Sequence, residues 1–473
     1  MARKIVFLEA NEIPSRVLDF YMTENPNSSL SLNIPLCRRY ETVAADTCAL
    51  SPWITWPTLH RGVNNESHEL LHFGQDLTRA DKQFPPIWKL LMENGIRTGV
   101  FGPMHSSPLP KDAAKYDFFL PDTFAHTPDS HPDSLTSFQD FNLTMARNSP
   151  RNVSRSIDFG TLLGFLGRAP FIGLRPATAF SVLRQLIDER RNSWKSTRRR
   201  TYQPVLAFDL FMAQLQRKQP EFSNFFTNHV ASAMHRYWAA LFPEDFDDLE
   251  LDDAWQSRYR GEISFAMGWT DDFFGRLIRF ADANPEYLVV MASSMGQCAS
   301  SGKRLDTQLY LRDPQSLMAR AELSEDQWER RPAMDPTVSL YVAIEQAERF
   351  ETFLKSMTIQ DQPIEYAVKE GGFFDLVFGQ INLDPAVDKL HIDGQEVAFE
   401  SVGFERTAVE DEAGSTGYHI ADGILTIYDP QDRSNKTEIG QVSTTDLAPA
   451  ILDHFGVTVP GYMNSPGAIQ LHS

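Results

Sequence analysis

The sequence predicts an α/β fold with a mostly parallel central sheet, and three stretches carry this prediction. Residues 5–8 form a short apolar run that ends at Glu9, which is typical of a buried parallel strand followed by an acid. Residues 84–94 have the spacing of an amphipathic helix, and residues 97–101 then have the composition of the next strand. Tyr287–Ala292 is an unbroken apolar run that predicts a second buried strand. Alternating strands and helices are typical of a sheet covered by helices.

The remaining elements follow in chain order. The same criteria predict helices over 15–21, 57–63, 262–282 and 445–455, a strand over 423–428, and a strand end followed by a loop over 118–124. Residues 126–259 break the alternation, because they contain long helical patterns and few strand signals. We therefore expect a catalytic core over 1–125 and 260–473, with a mainly helical insertion or cap over 126–259 that leads back to the core near 220. Residues 305–415 alternate short signals and could include a small antiparallel part.

Composition limits the classes of partner. The net charge is −19 and the pI about 5.1, a balance that disfavours nucleic-acid binding, which needs a basic field. The exception is a basic run from Arg184 to Arg200, for which two interpretations stay open. It is a solvated helix face or linker, or it is a docking patch for an anionic partner or a membrane surface. The 33 phenylalanines favour an aromatic-rich core.

Cysteine usage and the N-terminal residues indicate a reducing compartment. Cys37, Cys48 and Cys298 are an odd, widely spaced set, which argues against a disulfide framework or a thiolate zinc site. The first residues lead directly into the predicted strand and lack the apolar region of a signal peptide. No apolar run approaches the ~20 residues that a membrane span requires. The expected location is the cytoplasm.

Thr55, in the segment Ser51-Pro-Trp-Ile-Thr-Trp-Pro57, is the first candidate for chemistry. A hydroxyl at the start of a helix lies near backbone amides and the positive end of the helix dipole, which stabilise an anion such as a phosphate. Pro57 suits a first helical turn. The alternative is that Thr55 only caps the helix.

Two histidines and one strand end are further candidates. His235 follows the apolar run 222–227 on a predicted helix, and His419 precedes an Asp-Gly turn and a strand. In isolation either one could be a core or loop histidine that bonds to backbone. The run 288–296 is a buried strand that ends in Ser293, Ser294, Met295 and a glycine.

In this order, Glu9 and these four segments resemble the alkaline phosphatase superfamily, and specifically its phosphodiesterase and nucleotide pyrophosphatase-like branch. The motifs that carry the resemblance are Glu9, Thr55-Trp56-Pro57 with Gly62 and His68, His235, Ser293–Gly296, His419, and Asp446-Leu-Ala-Pro449 with Ile451 and Gly456. The resemblance implies a three-layer sandwich with a mostly parallel central sheet and a helical insertion. It also implies that Thr55 is the nucleophile and that Glu9, His235 and His419 are metal ligands.

The chain departs from the family pattern at the metal ligands. The family has an Asp four residues before its first His, where this chain has Ala231, and an Asp-His pair where it has Ser294 and Met295. A catalytic zinc site usually needs three protein ligands, and Met295 is too soft for a hard cation. The resemblance therefore implies a reduced site that holds one ion of zinc or another divalent metal, or none. Asn11, Glu12, Asn228 and His229 are the available substitute donors.

Three functions remain open at this stage. The first is a phosphohydrolase or phosphotransferase, phosphodiesterase-like, which acts through Thr55 with a reduced metal site. The second is a catalytically silent relative that binds an anionic ligand or a protein partner. The third is a metal-independent transferase on a glycan- or lipid-linked substrate, which the basic run suggests. We expect a small phosphorylated substrate in the first case. The sequence leaves the oligomeric state open.

Overall fold

The computed structural model describes residues 2–72, 74–148, 173–247, 252–300, 307–331, 337–369, 371–378, 383–384, 387–408, 416–436, 439–469 and 471. The chain divides into two compact units. Unit 1 comprises Met1–Ala146, Ile157–Ser301 and Ser415–Ser473, and unit 2 comprises Arg147–Ser156 and Gly302–Gly414. Among the described residues, no helix is long and apolar enough to cross a membrane.

The regular elements are numbered here in chain order. The helices are α1 (Ser15–Glu24), α2 (Ser29–Asn33), α3 (Pro52–Arg61), α4 (Asn65–His68), α5 (Thr78–Gln83), α6 (Ile87–Glu93), α7 (Thr136–Asn148), α8 (Pro176–Arg191), α9 (Arg199–Lys218), α10 (His229–Leu241), α11 (Asp253–Tyr259), α12 (Glu262–Ala283), α13 (Pro314–Arg320), α14 (Ile344–Lys355) and α15 (Leu447–His454). The strands are β1 (Lys4–Ala10), β2 (Arg38–Val43), β3 (Thr98–Phe101), β4 (Phe118–Leu120), β5 (Phe222–Thr227), β6 (Tyr287–Ala292), β7 (Gly296–Ala299), β8 (Thr307–Leu311), β9 (Trp328–Arg331), β10 (Thr337–Val342), β11 (Met357–Ile359), β12 (Gln362–Pro363), β13 (Glu365–Lys369), β14 (Phe373–Val377), β15 (Lys389–Ile392), β16 (Gln395–Ala398), β17 (Phe404–Ala408), β18 (Gly417–Ile420), β19 (Asp422–Tyr428) and β20 (Ile439–Ser443).

An eight-stranded sheet forms the centre of unit 1, in the order β20-β2-β19-β6-β1-β5-β3-β4. Five of its seven neighbouring pairs are parallel, and only β19 runs against its two neighbours. The predicted α/β class with a mostly parallel central sheet is therefore confirmed. Because β1, β5 and β6 are adjacent and parallel, the loops that follow them leave the sheet at the same edge, where ligands of such folds gather.

Helices cover both faces of this sheet, which makes three layers. On one face, α3, α6 and α15 bury apolar side chains such as Trp56, Trp88 and Ile451 against the strands. On the other face, α9 and α12 pack through an aromatic cluster of Phe101, Phe118, Phe208, Phe211, Phe225 and Phe273. The alternation of strand side chains explains the division, since Phe222 faces the first layer and Phe225 the second.

Two element boundaries differ from the prediction in ways that matter for the site. Helix α3 begins at Pro52 and not at Pro57, because Ser51 has extended backbone and its carbonyl accepts from both Ile54 N and Thr55 N, each at 2.9 Å. Pro52 suits the first helical position, where no amide hydrogen is needed. Strand β1 continues through Ala10, which pairs with Thr227, so Glu9 lies inside the strand and not after it.

The segment over 126–259 contains helices α7–α11 among its described residues, and strand β5 returns the chain to the central sheet at Phe222. Residues 149–172 of this segment lie outside the described residues. Within the stretch 260–473, Gly302–Gly414 has a hydrophobic core of its own around residues such as Leu340 and Phe374, and the domain division expected from the sequence stays a prediction. This unit contains two four-stranded antiparallel sheets, in the stretch where a small antiparallel part was expected.

Candidate functional site

Three polar side chains meet where the parallel strands end. Glu12 follows β1, His235 lies on α10, and His419 lies on β18. Glu12 Oε2 is 3.1 Å from His235 Nε2 and 3.5 Å from His419 Nε2. One ligand atom from each residue lies within 4.8 Å of the others, so the three could hold one metal ion. We call this group the Glu12 triad.

The backbone fixes which nitrogen each imidazole presents to Glu12. His235 Nδ1 is 2.8 Å from Gly417 O, and His419 Nδ1 is 2.8 Å from Leu50 O. A carbonyl oxygen only accepts, so each Nδ1 carries the hydrogen. In the neutral rings, both Nε2 lone pairs therefore point towards the carboxylate of Glu12. Metal-binding histidines are oriented in the same way, by a carbonyl on the second ring nitrogen.

Whether a cation suits this site depends on the groups that lie opposite the two Nε2 atoms. His419 Nε2 is buried and has no hydrogen-bond partner among the residues that the structure describes. Two lone pairs directed at an anion repel it, and a divalent cation between them removes that repulsion. Without an ion, the repulsion is relieved when the rings carry a second proton: burial raises the pKa of Glu12, but the positive charge and hydrogen bonds of protonated His235 and His419 outweigh burial and hold that pKa well below its ordinary value. The donors are a carboxylate oxygen and two imidazole nitrogens, a ligand set that zinc accepts.

Neighbouring amides hold the Glu12 carboxylate in place. Asn11 Nδ2 donates to Glu12 Oε1 at 2.7 Å and to Asn228 Oδ1 at 2.6 Å. Gln297 Nε2 donates to Glu12 Oε2 and, at 3.2 Å, to Ala231 O. Glu12 itself has a left-handed backbone conformation, with a φ of 62°. Non-glycine residues rarely adopt this region, and those that do are enriched at functional sites.

Thr55 lies in the first turns of α3, where its side chain is fully buried. Its Oγ1 is 2.7 Å from Ser294 Oγ, and its own amide is bonded to Ser51 within the helix. The next residue, Trp56, donates its indole hydrogen to Asn11 Oδ1 at 2.7 Å. Helix α3 is thus connected to the Glu12 triad through Trp56 and Asn11.

Pro57 shapes the start of this helix. A proline has no amide hydrogen, so the carbonyl four residues earlier, that of Trp53, loses its helical partner. His105 Nε2 lies 2.8 Å from Trp53 O and takes the place of that donor. Burial lowers the pKa of His105 to about 4, so the ring stays neutral at pH 7. The loop that carries His105 therefore supports the turn that carries Thr55.

Glu9 is oriented differently from the sequence-based expectation. Its Oε1 accepts from Asn224 Nδ2 at 2.7 Å and lies 3.1 Å from His60 Nε2, in the fully buried layer between the sheet and α3. The strand extends one residue beyond Glu9, so this side chain points into the helical layer, while Glu12 reaches the strand ends. The metal role predicted for Glu9 stays a prediction, and the Glu12 triad does not include this residue.

The four substitute donors named from the sequence differ in their position relative to the Glu12 triad. Of the four substitutes, Glu12 joins the triad, and Asn11 and Asn228 lie in its hydrogen-bond network. His229 is buried, with Nδ1 2.6 Å from Thr227 Oγ1 and Nε2 3.0 Å from Ala266 O. Burial lowers the pKa of His229 to about 4, which fits a neutral core histidine.

Several basic side chains of the run 184–200 form ion pairs with acidic side chains of the same chain. Arg198 forms two hydrogen bonds with Glu262, at 2.8 and 2.6 Å, and Arg199 Nε donates to Glu189 at 2.8 Å. Lys195 pairs with Asp188 at 2.5 Å. The metal-independent transferase hypothesis drew on this run for binding an anionic substrate, and these side chains already have anionic partners.

Gln297 is the site residue that sequence reasoning did not single out. It lies opposite His419 in the antiparallel pair of β7 and β18, so both side chains reach the same side of the ladder. Gly417, in the same ladder, passes close to α10, where an added Cβ would lie 2.6 Å from Met234 O. Gly417 stands two residues before His419 in the sequence, but that spacing does not identify Gln297.

No family model matches this chain, and neither does any curated protein. Solved structures do match. An inactive variant of murine ectonucleotide pyrophosphatase/phosphodiesterase 5 in complex with AMP is 12% identical, with a TM-score of 0.43, and the match covers 98% of this chain and 97% of that one. The human protein is 12% identical over 98% and 97% of the two chains, with a TM-score of 0.39. A TAB5 alkaline phosphatase variant with bound Mg is 11% identical over 97% and 100%, with a TM-score of 0.37. In each case the match covers nearly the whole of both chains.

Proposed function

We propose that this protein is a phosphohydrolase or phosphotransferase, phosphodiesterase-like, that uses Thr55 as its nucleophile and holds one divalent ion on Glu12, His235 and His419. The observation that carries the proposal is the Glu12 triad, in which two imidazoles present Nε2 to one buried carboxylate. The assignment replaces Glu9 by Glu12 in the ligand set.

Each part of the site has a chemical task. When bound, the divalent ion supplies positive charge that stabilises phosphate oxygens and the developing charge of phosphoryl transfer. Thr55 Oγ1 forms the new bond to phosphorus, the ester P–O bond breaks, and the Thr55 proton ends on the leaving alcohol. Attack of water on the phosphothreonine completes hydrolysis, and attack of another alcohol completes transfer. Ser294 Oγ, at 2.7 Å, orients the Thr55 oxygen before attack.

One observation favours a second candidate, a catalytically silent protein that binds a metal and an anionic ligand. Thr55 and Ser294 are fully buried and bonded to each other, whereas His235 and His419 keep a partly exposed surface. A phosphate therefore reaches the triad more readily than it reaches Thr55. In the first candidate, substrate binding must open a path to Thr55. In the second, that path is not needed.

Metal titration combined with turnover tests the proposal. Protein treated with EDTA is titrated with Zn²⁺ and Mn²⁺ by calorimetry, and turnover of an aryl phosphodiester and an aryl phosphomonoester is followed with each metal. We expect one ion per chain, loss of binding in His235→Ala, and loss of turnover with intact metal binding in Thr55→Ala. The matched control is Thr98→Ala, a fully buried threonine that also makes one hydrogen bond, at 2.9 Å to Ile96 O.

The outcomes separate the candidates. Turnover that survives in Thr55→Ala contradicts the nucleophile assignment. Metal binding at one ion per chain without turnover of either ester supports the silent protein. Metal binding that is unchanged in His235→Ala removes the triad from both candidates.

A further inference from the structure

Helix α8 exposes large apolar side chains to solvent and buries mainly polar ones. Its buried positions are Thr178, Val182, Gln185 and Glu189, three of which are polar. Its outward positions include Phe180, Leu183 and Ile187, which are 68%, 46% and 55% exposed. The spacing of three and four residues places these three side chains on one stripe of the helix. Ordinary surface helices have the opposite arrangement, with the apolar stripe towards the core.

Polar contacts hold the inner face of α8, so its outer apolar side chains are not needed for attachment. Gln185 Nε2 donates to Glu189 Oε1 at 3.0 Å and to Lys195 O at 2.7 Å. Glu189 is paired with Arg199, and Asp188 is paired with Lys195. Both acidic residues of the helix are therefore matched by basic partners, which leaves little negative charge beside the stripe.

Arginines border the exposed stripe. Arg175, Arg184, Arg190 and Arg191 are all exposed along the length of α8. We call these four residues, with Phe180, Leu183 and Ile187, the α8 outer face. Sixteen residues give a helix about 24 Å long at ~1.5 Å per residue. A helix with aromatic and aliphatic side chains between basic ones has the composition of an interfacial helix that lies on a membrane.

We propose that the α8 outer face docks this protein onto an anionic lipid surface. The three apolar side chains would enter the boundary between headgroups and acyl chains, and the arginines would meet lipid phosphates. The charges favour this partner over a second copy of the chain. In a symmetric dimer the same face meets itself, so the arginines of one copy would lie against those of the other.

The acidic balance of the whole chain does not prevent such docking. The net charge is −19, but charges separated by more than ~10 Å are largely screened at 0.1 M salt. The local field at the membrane is therefore that of the α8 outer face. The inference is independent of the proposed catalytic function, since none of these residues belongs to the Glu12 triad.

Vesicle co-sedimentation of the full chain tests the proposal. The vesicles contain phosphatidylcholine alone or with one third phosphatidylglycerol, in 0.1 M and 0.5 M salt. We expect binding to the anionic vesicles only, weakened by salt. Loss of each arginine should weaken binding about fivefold, and loss of each inserted apolar side chain about tenfold.

One triple variant, as the test, and one double variant, as the control, complete the design. The test variant carries Phe180→Ser, Leu183→Ser and Ile187→Ser. The control carries Leu32→Ser and Ile344→Ser, which remove apolar side chains that are 60% and 67% exposed elsewhere. All five positions are on the surface, and far-ultraviolet circular dichroism verifies folding.

The outcomes are decisive in both directions. Anionic-specific binding that is lost in the test variant and kept in the control supports the proposal. Wild-type protein that sediments equally with neutral vesicles, or with none, overturns it. Equal loss in the control variant also overturns it. Light scattering that shows a wild-type dimer and a monomeric test variant overturns it as well, because the α8 outer face is then an interface between copies.

Discussion

Gln297→Glu is the substitution that most directly asks whether the Glu12 triad holds a cation. Gln297 is buried, and its Nε2 donates to Glu12 Oε2 and to Ala231 O. Glutamate has nearly the same shape, so the substitution changes charge and hydrogen bonding without creating a cavity. A second carboxylate then faces the first across a hydrogen-bond distance.

The expected loss of stability follows from the way in which the metal-free Gln297→Glu variant avoids repulsion between the two carboxylates. Two buried carboxylates in contact do not both stay ionised, and one takes up a proton. Protonating a carboxyl of pKa ~4.3 at pH 7 costs about 3.7 kcal/mol. The protonated acid then donates to Glu12 and recovers part of this, which leaves about 3 kcal/mol of lost stability. At roughly 2–4 °C per kcal/mol, Tm falls by about 6–12 °C.

A divalent ion reverses the effect, because the added carboxylate becomes a fourth ligand and its negative charge is neutralised. Zn²⁺ stabilises wild type and variant alike by mass action, and the deficit of ~3 kcal/mol closes when the fourth ligand makes Zn²⁺ binding about 100-fold tighter in the variant. The assay is thermal unfolding of wild type and variant, each in EDTA and in Zn²⁺. The Tm deficit of the variant should be large in EDTA and small in Zn²⁺.

Gln139→Glu is the matched control. Gln139 is fully buried and its Nε2 donates to two backbone carbonyls, those of Pro121 and Asp122, at 3.1 and 3.0 Å. Its substitution should lower Tm equally in EDTA and in Zn²⁺. An equal deficit for Gln297→Glu in the two conditions would refute the reasoning that the Glu12 triad binds a cation.

Three further predictions concern the supports of the site. Trp56→Phe leaves Asn11 Oδ1 without its indole donor, so we expect about 10–100-fold weaker Zn²⁺ binding by calorimetry; unchanged affinity contradicts the coupling of α3 to Glu12. Gly417→Ala places a Cβ 2.6 Å from Met234 O, and we expect a loss of about 1–3 kcal/mol in urea unfolding, while Gly261→Ala, where the Cβ meets open space, should be neutral. For His229, burial lowers the pKa from 6.5 to about 4. Between these two pH values the unfolded state binds a proton that the folded state does not, so the free energy of unfolding decreases as the pH is lowered. Between pH 7 and pH 5.5 this loss is about 1 kcal/mol, and it should be absent in His229→Gln, whereas identical pH profiles would assign the dependence elsewhere.

The fold was accessible from sequence because its signals are local. Apolar runs predicted β1 and β6, and helical spacing predicted α6 and α12 within a few residues. The site depended on information that is less local. Whether Glu9 or Glu12 reaches the strand ends depends on one further residue of β1, since each added residue reverses the direction of the side chain. That extension comes from the pairing of Ala10 with Thr227, more than two hundred residues away.

Gln297 and the boundary of unit 2 show the same limit. Gln297 reaches Glu12 because β7 and β18 place it opposite His419, a register that the sequence of either strand does not contain. Unit 2 is defined by the packing of the apolar residues of Gly302–Gly414 against one another, which is a tertiary property.

The positions that depart from the motifs of the resembled family differ in how their polar groups are paired. Ser294 replaces a charged ligand by a hydroxyl, and its hydrogen bond to Thr55 is complete without a cation. Glu9 keeps its carboxylate, but Asn224 and His60 contact it inside the helical layer. Among the described residues, two buried polar atoms near these carboxylates lack a hydrogen-bond partner, Oε2 of Glu9 and Nε2 of His419. Thr55 is thus hydrogen-bonded without a cation, whereas a buried polar atom beside each of Glu9 and Glu12 has no such bond, so metal binding and turnover have to be measured as separate properties of this chain.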